Sequence, residues 1–578
     1  MAYSVSDLII ETLRESGVRR VYGLPGDSLN GFTDALRREG TIRWVHVRHE
    51  EVAAFATAGE AATTGQLAVC AASCGPGNLH LINGLFDAHR SRVPVLAVAA
   101  HIPSKEIGGN YFQETHPQDL FRECSVYCEL ASSPAQFPYV LDIAMRTAVE
   151  QRGVAVLVVP GDVLIAETAR PRRVTGIRAA APRIVPGEAE IDRAAEALNA
   201  ASRVTILAGA GCEGAHDEVV ALGGVLQAPI VHALRGKEHI EYDNPYDVGM
   251  TGLLGFASGY RAMEECEALL MLGTDFPYRE FYPERATIIQ VDVRGEQIGR
   301  RTQVDIPLVG TVADTVRALS PKLKDRPVGR HLERMREHYA RSRKSLDDLA
   351  VPDRDRTPMH PQYVARRLDE LAAEDAVFLA DVGSPVVWAA RYLHMNGRRR
   401  LIGSFSHGTM ANALPQAIGV QASHPGRQVV TLSGDGGIAM LLGDLLTLRQ
   451  ERLPVKIVVF NNSALSFVEL EMKAAGLVNF GTDLENPNFA AVAQALGMHG
   501  QRVGRPSELD GALRAAFAHD GAALVEVMTA RQELSMPPTI TFDQIKGFTL
   551  YATRTVLSGR GDELIDLANT NVTRRLFS

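Results

Sequence analysis

The chain has 578 residues, of which 46% are hydrophobic and 22% are charged, and its formal net charge is −8. This length exceeds what one hydrophobic core supports, so about three domains are expected. The small negative charge, with Arg398–Arg400 as the longest basic block, excludes a strongly basic nucleic-acid-binding protein.

The cysteines and the N-terminal segment indicate a folded protein of a reducing compartment. No two cysteines form a C-x-x-C pair, so we expect scattered buried thiols rather than disulfides or a zinc site. The N-terminal segment lacks the basic and apolar regions of a signal peptide, and its apolar residues recur at helical spacing from Ser6. No apolar run reaches about 18 residues, so no membrane-spanning helix is expected.

Residues 1–165 alternate amphipathic helical segments with short apolar runs such as "LAVCAAS" and "VAVLVVP". These runs are rich in Val and Ala and do not alternate with polar residues, which is typical of strands buried on both faces of a parallel sheet. A doubly wound α/β domain is therefore predicted. The stretch 166–190 is rich in Pro and Arg and lacks periodicity, which predicts a linker.

The same pattern occurs twice more along the chain. It restarts at Ile191, fades near Leu319, and starts a third time after a second linker or linking helix over 320–357. The sequence therefore predicts three doubly wound parallel α/β domains, followed after Arg531 by a tail of different character. In such domains ligands lie at the carboxyl ends of strands, at switch points of the strand order, or between domains.

The stretch "TLSGDGGIAMLLGDLL" contains Asp435–Gly436 between apolar residues, where a D-G pair usually predicts a hairpin. A hairpin requires a second strand at once, but the next segment, Ile438–Glu451, has a helical pattern. The following apolar run, 454–460, closes on Asn461–Asn462. Asp435 and Asn462 are therefore predicted to end two parallel strands at the same edge of one sheet.

Carboxylate and amide oxygens at one edge form the hard-oxygen site that Mg²⁺ or Ca²⁺ prefers, and these cations also take ligand phosphates. Gly436 and Gly437 allow the backbone to approach a diphosphate, and the following helix offers free N–H groups. The pattern therefore predicts a metal-bound diphosphate held by Asp435 and Asn462.

A G-D-G motif followed about 26 residues after its aspartate by N-N is the fingerprint of the thiamine-diphosphate-dependent enzymes. The chain resembles, almost end to end, the bacterial quinone-linked pyruvate oxidases of that family, through stretches such as "RHEEVAAFA", "CGPGNLHLINGLFD", "GSFSHGTMANALPQAIG" and "VVFNNSALSFVELEMK". The resemblance implies a pyrimidine-binding domain over 1–180, a central FAD-binding domain over 181–335, a diphosphate-binding domain over 336–530, and a C-terminal autoinhibitory and membrane-binding segment over 531–578.

The resemblance assigns thiamine diphosphate and Mg²⁺ to residues of the first and third domains. Taken by itself, Glu50 is interpreted as a carboxylate in the first turn of a helix. In the resemblance it matches the glutamate that hydrogen-bonds N1′ of the aminopyrimidine. The chemistry needs a proton relay at that atom. The adjacent Glu51 is interpreted as a helix-surface or interface residue. The metal ligands would be Asp435, Asn462 and the carbonyl of Ala464. Further contacts to the cofactor would come from Gly408, Thr409, Met410, Gly436, Gly437, Ser463, Leu465, Ser466, Phe467 and Val468.

The central domain contains Gly209-x-Gly211-x-x-Gly214 after a strand, a weak dinucleotide-binding motif. No acidic residue ends the next strand, where that motif places its ribose ligand. The resemblance implies instead that FAD lies extended across the domain, with Asp292 accepting from a ribose hydroxyl and Gly209 and Gly211 lining the same cofactor. The remaining FAD contacts would be Thr251, Gly252, Leu253, Leu254, Thr274, Asp275, Phe276, Pro277 and Tyr278.

Four further residues match catalytic positions of pyruvate oxidases. Phe112 and Phe467 would exclude water and lie between thiamine and flavin, while Gln113 and Glu471 would position the substrate. The alternative is ordinary packing, since Phe467 and Glu471 stand four residues apart on a predicted helix.

The tail, 531–578, carries six basic and five acidic residues, unlike a polybasic membrane anchor. Two of its segments, on either side of "SGRG", place apolar residues on one helical face, which fits either a docked C-terminal helix or a membrane-binding one. The resemblance favours lipid binding, with the tail covering the active site at rest.

The implied activity is oxidative decarboxylation of pyruvate to acetate and CO₂, with FAD passing the electrons to a membrane quinone. The resemblance implies a homotetramer with active sites between subunits, in the cytoplasm and peripherally attached to the inner face of the cell membrane. Acetolactate synthase and oxygen-dependent pyruvate oxidase, which use the same cofactors, are the alternatives. A non-catalytic thiamine-fold protein is disfavoured because Glu50, Asp435 and Asn462 are all present.

Overall fold

A computed structural model of the chain describes residues 3–180, 182–352, 357–531, 533, 550, 551 and 554. In this part of the chain there are three β-sheets of six strands each, and all the strand pairs within them are parallel. Helices connect the strands, and the predicted α/β class with three doubly wound domains is confirmed. Within the same described residues, no helix combines the length and the apolar character needed to cross a membrane.

The first domain has the strand order β2-β1-β3-β4-β6-β5. Its strands are β1 (Arg20–Gly23), β2 (Arg43–His46), β3 (Ala68–Ala72), β4 (Val95–His101), β5 (Tyr127–Leu130) and β6 (Val154–Pro160). Its helices are α1 (Val5–Glu15), α2 (Asn30–Glu39), α3 (Glu50–Thr64), α4 (Pro76–Ser91), α5 (Pro117–Leu120), α6 (Phe137–Gln151) and α7 (Gly161–Ile165).

The central domain has the order β12-β11-β10-β7-β8-β9. Its strands are β7 (Val204–Ala208), β8 (Ile230–His232), β9 (Asp247–Met250), β10 (Ala268–Leu272), β11 (Thr287–Asp292) and β12 (Ile306–Val309). Its helices are α8 (Glu188–Ala200), α9 (His216–Leu226), α10 (Lys237–Ile240), α11 (Ala257–Glu264) and α12 (Val312–Leu319). A long helix, α13 (Arg330–Leu349), follows and runs through the domain boundary predicted between residues 335 and 336.

The third domain has the order β14-β13-β15-β16-β18-β17, which matches the order in the first domain strand for strand. Its strands are β13 (Val377–Ala380), β14 (Arg400–Ile402), β15 (Val429–Gly434), β16 (Lys456–Asn461), β17 (His499–Val503) and β18 (Ala523–Met528). Its helices are α14 (Pro361–Leu371), α15 (Ser384–Tyr392), α16 (Ala413–Ser423), α17 (Asp435–Met440), α18 (Leu445–Glu451), α19 (Ser466–Ala474), α20 (Phe489–Ala495) and α21 (Pro506–Ala518).

The helix predicted over Ile438–Glu451 differs in the structure. It begins earlier, at Asp435, and is interrupted between α17 and α18 at Leu441, where the backbone leaves helical geometry (φ −124°, ψ 32°). The interruption places Asp444, a buried carboxylate, where it accepts from the backbone N–H of Arg48 over 2.9 Å. An apolar pattern at helical spacing does not reveal this break, because the residues on either side still face the core.

The first and third domains share a hydrophobic core, to which α3 and α16 contribute. Small residues allow these helices to approach closely: a Cβ on Gly419 would lie 1.7 Å from the carbonyl oxygen of Ala56, and one on Gly59 would lie 2.4 Å from that of Gln416. Because α3 is alanine-rich and buried over most of its length, it positions its first residue, Glu50, rigidly.

Candidate functional site

The carboxyl edge of the third sheet holds the Asp435 side chain. β15 and β16 are parallel neighbours, so Asp435 and Asn462 follow two adjacent strands at one edge, as predicted. Asp435 Oδ2 accepts from the backbone N–H of Ser463 over 2.7 Å, from that of Asn462 over 3.2 Å, and from Asn486 Nδ2 over 2.9 Å. Burial raises the pKa of Asp435, and these donors partly offset that effect.

The loop after β16 is held in one conformation by local hydrogen bonds. Ser463 has a left-handed backbone (φ 55°), and Asn462 Oδ1 accepts from the N–H of Ala464 over 3.1 Å. Ala464 is buried and forms an antiparallel bridge with Asp483. The loop and Asp435 together offer a carboxylate, an amide oxygen and backbone carbonyls, the donor set that fits Mg²⁺.

A side chain at Gly436 or Gly437 would crowd the neighbouring side chains. A Cβ on Gly437 would lie 2.5 Å from Asp381 Oδ2, and one on Gly436 would lie 2.9 Å from Leu465 and 3.3 Å from the methyl carbon of Met410. The structure therefore brings Met410, one of the predicted cofactor contacts, next to the start of α17. Asp381 and Asp435 follow β13 and β15, the pair at which this sheet's strand order reverses direction, where ligands of doubly wound sheets bind.

The remaining residues assigned to this cofactor lie on or just before α19 and in the loop before α16. Ser466 begins α19, and its Oγ lies 2.7 Å from Ser384 Oγ at the start of α15. Gly408 has a left-handed backbone (φ 85°), and Thr409 Oγ1 donates to the carbonyl of Met410 over 3.0 Å. Phe467 and Leu465 are half-buried, and Val468 is exposed.

Glu50 is the first residue of α3 and is buried. Its Oε2 lies 2.8 Å from Nδ1 of His80 on α4. The neighbouring Glu51 is an interface residue: Asn83 Nδ2 donates to Glu51 Oε1 over 2.7 Å and to Thr409 Oγ1 over 3.2 Å. Within one chain, Asn83 thus links the start of α3 to the loop that carries Met410.

The glycine loop of the central domain lies at the point where that sheet's strand order reverses, between β7 and β10. Gly209 and Gly211 follow β7, and a Cβ on Gly211 would lie 2.7 Å from the Cα of Gly273, which follows β10. Packing of backbone against backbone therefore explains the two glycines. It also places them beside the Thr274–Tyr278 segment, at the edge where doubly wound sheets bind nucleotides.

Asp275 follows β10, and Asp292 is the last residue of β11, at this same edge. Burial raises the pKa of Asp292, whose Oδ1 accepts from the N–H of Arg294 over 2.9 Å. Asp275 Oδ2 lies 2.7 Å from a guanidinium nitrogen of Arg92, which ends α4 of the first domain. A buried carboxylate beside arginines fits the ribose and diphosphate of a dinucleotide such as FAD.

The other residues assigned to FAD approach the third domain. Gly252 (φ 94°) packs against Phe276, Thr251 is buried, and Leu253 and Pro277 are exposed. Arg391 Nε, on α15, donates to the carbonyl of Leu254 over 3.0 Å. The pKa of Tyr278 is raised by burial and by two nearby carboxylates, one of which is Glu471 on α19.

The four predicted catalytic residues fall into two groups. Phe112 is 78% exposed, and Gln113, with a left-handed backbone, accepts from Cys74 Sγ over 3.3 Å. Phe467 lines a cleft of the third domain together with Trp388 and Asn462, and Glu471 is exposed one turn later on α19. Phe467 and Glu471 both lie on α19, so the predicted helix that carries them is confirmed.

Sequence patterns missed several residues of the site. Asp381 directly follows the apolar strand β13, so the sequence pattern that identified Asp435 could also have identified Asp381. His80, Asn486 and Arg92 carry no such signal, because each meets its partner through helix or loop packing. All six cysteines lie in the described residues and are free thiols, five of them buried, as expected.

Comparison with known protein families agrees with this geometry. The chain matches the thiamine pyrophosphate enzyme N-terminal TPP binding domain over residues 3–120, the central domain over 191–319, and the C-terminal TPP binding domain over 381–527. These segments contain α3 with Glu50, the switch point of the central sheet, and the strand ends at Asp435 and Asn462.

Full-length relatives extend the comparison. The putative thiamine pyrophosphate-containing protein YdaP of Bacillus subtilis is 36% identical over 98% of both chains. Pyruvate oxidase of Lactiplantibacillus plantarum is 29% identical over 91% of this chain and 89% of its own. Acetolactate synthase isozyme 2 large subunit of Escherichia coli is 30% identical over 90% of this chain and 94% of its own. The chain therefore belongs to the thiamine pyrophosphate-dependent enzymes.

Proposed function

We propose that the protein oxidatively decarboxylates pyruvate to acetate and CO₂ and passes the two electrons through FAD to a membrane quinone. The observation that carries the proposal is the contact between the two predicted cofactor regions. Arg391 on α15 of the third domain contacts Leu254, and the charge of Glu471 on α19 acts on Tyr278; Leu254 and Tyr278 are both assigned to FAD. This arrangement supports electron transfer between neighbouring cofactors.

The residues of the first and third domains fit thiamine diphosphate. Bound thiamine diphosphate supplies a carbon nucleophile that adds to a 2-oxo acid and keeps the electron pair when CO₂ leaves. Asp435, Asn462 and the Ala464 carbonyl would hold Mg²⁺ with the diphosphate. Glu50 would hold and move a proton at the pyrimidine ring, and Phe467 would exclude water.

A membrane-bound, oligomeric form belongs to the same proposal. Of the tail, the structure describes Arg531, Glu533, Leu550, Tyr551 and Arg554; the rest of the predicted lipid-binding segment lies outside the described residues. Tyr551 is buried with its ring 5.6 Å from Lys473 Nζ on α19, and Arg554 donates to the carbonyl of Gly476 over 2.6 Å. These contacts support a tail that packs on α19 at rest. Release of the tail to bind lipid on the inner face of the cell membrane is the second part of this proposal. We further propose a homotetramer with active sites between subunits.

The decisive experiment is anaerobic mixing of the purified holoenzyme with pyruvate, followed by addition of a quinone. We expect the flavin absorbance to bleach with pyruvate, to return with quinone, and acetate to accumulate. Acetolactate formation without flavin bleaching would identify an acetolactate synthase instead. Reoxidation by O₂ but not by quinone, with phosphate required, would identify an oxygen-dependent pyruvate oxidase.

Replacement of Glu50 by Gln tests the proton-relay role. We expect the rate of flavin reduction by pyruvate to fall about 100-fold or more, because the amide cannot exchange the proton. Both cofactors should remain bound, as measured by their release on denaturation. The neighbouring Glu51→Gln is the matched control and should retain most of the rate; normal reduction in Glu50→Gln contradicts the role.

A further inference from the structure

His80 is the side chain that contacts the Glu50 carboxylate. It lies in the second turn of α4, with Nδ1 2.8 Å from Glu50 Oε2. The other oxygen, Oε1, faces the α4 backbone, since a Cβ on Gly77 would lie 3.1 Å from it. The carboxylate is thus held between the backbone of one helical turn and the imidazole of the next.

The two partners differ in their access to solvent. In the single chain, the Glu50 side chain is 8% exposed and the His80 side chain is 43% exposed. A buried carboxylate that moves a proton in each catalytic cycle must exchange that proton with water by some route. Histidine carries protons on two nitrogens and changes charge near neutral pH, so an imidazole that spans from the carboxylate to solvent provides one.

His49 holds the His80 ring in place. The two rings are stacked, with centroids 4.2 Å apart and an interplanar angle of 26°. His49 itself is fixed as the N-cap of α3, where its Nδ1 accepts from the N–H of Glu51 over 3.2 Å. Because Nδ1 of His49 is an acceptor, its ring proton lies on Nε2. This stacking orients His80 with one nitrogen on Glu50.

We propose that His80 is a positioning residue that exchanges the Glu50 proton with water. A proton enters at His80 Nε2 while the Nδ1 proton passes to the carboxylate, and the reverse movement returns it. The step forms and breaks only N–H and O–H bonds and needs no oxidant or reductant. It rests on the thiamine-diphosphate chemistry proposed above, because Glu50 serves that cofactor.

The test measures exchange of the thiazolium C2 proton for deuterium in the full-length enzyme loaded with thiamine diphosphate and Mg²⁺. The reaction is stopped with acid and the cofactor is read by proton NMR, so neither pyruvate nor flavin is involved. In His80→Asn the amide nitrogen keeps the hydrogen bond to Glu50 but cannot carry a proton. We expect exchange to slow by about tenfold or more, because the amide cannot pass the proton on. Cofactor affinity should be unchanged.

Two further variants separate proton transfer from packing. In His80→Ala, added imidazole should restore exchange, because the vacated position reaches solvent. In the comparison variant, His49→Asn, asparagine still caps α3 but the stacked ring is lost, so exchange should fall clearly less than in His80→Asn. Unchanged exchange in His80→Asn, or an equal loss in His49→Asn, would overturn the inference. Absence of exchange in the loaded wild-type enzyme would instead overturn the proposed thiamine chemistry.

Discussion

At the residue scale, buried carboxylates differ in what surrounds them. Asp435 accepts hydrogen bonds from the loop that follows β16, so this one side chain holds the loop at the carboxyl edge of the third sheet. Asp87, on α4, is fully buried at the contact between the first and third domains and accepts from Gln416 Nε2 over 2.7 Å. Burial raises the pKa of Asp87 to about 6, and hydrogen bonds from Ser404 and Gln416 only partly oppose this.

The raised pKa of Asp87 predicts a pH dependence of stability. Between about pH 4 and pH 6 the folded protein binds a proton at Asp87 that the unfolded chain has released, so stability falls as pH rises through this range. The fall amounts to at most about 3 kcal/mol. Replacing Asp87 by Asn should flatten this part of the profile of unfolding temperature against pH.

The slope of that profile, rather than the absolute stability, is the quantity to compare. Asp142 on α6, whose side chain is 49% exposed, provides the matched control, and Asp142→Asn should keep the wild-type slope. A slope in Asp87→Asn equal to that of wild type would contradict the assignment. The measurement is best made on cofactor-free protein, because the proposed binding of Mg²⁺ at Asp435 would add its own pH dependence.

At the element scale, the contact between α3 and α16 joins the first and third domains. Gly59 on α3 and Gly419 on α16 let each backbone approach the other helix, and the alanines around them complete the fit. This contact also fixes the direction of α3, whose first residue is Glu50. The stability of the pair and the geometry of the site therefore depend on the same small residues.

Gly419→Ala should destabilise the protein, because the added methyl group would overlap the carbonyl oxygen of Ala56. We expect a loss at or above the upper end of the roughly 1–3 kcal/mol typical of overpacking, measured by denaturant unfolding. Gly426→Ala is the matched control, since a Cβ there meets no atom within 4 Å. Equal stability of the two variants would show that the helices separate without cost.

At the scale of the whole molecule, the three domains converge through their loops and helix ends. Arg92 of the first domain reaches Asp275 of the central domain, and Arg391 of the third reaches Leu254. The described tail residues Tyr551 and Arg554 contact α19 and the residues just after it, and α19 begins beside the Asp435 loop. The proposed regulation by lipid requires this contact to be released.

Removal of the last twenty residues, 559–578, tests that proposal. The truncated enzyme should reduce a soluble dye with pyruvate at the wild-type rate or faster, because the catalytic domains are intact. Stimulation by phospholipid vesicles should disappear, as measured by the ratio of rates with and without vesicles. If vesicles still activated the truncated enzyme, the lipid-binding surface would lie elsewhere on the molecule.

The sequence by itself determined what depends on local order along the chain. Non-alternating apolar runs predicted buried parallel strands, and residues that end such runs, Asp435 and Asn462, were found because parallel neighbours end at one edge. Tertiary structure alone decided the contacts of Glu50 with His80, of Asp435 with Asn486, and of Asp275 with Arg92. These partners lie 30, 51 and 183 residues apart. Packing of helices and loops brings them together, and such packing leaves no periodic signal in the sequence around either residue.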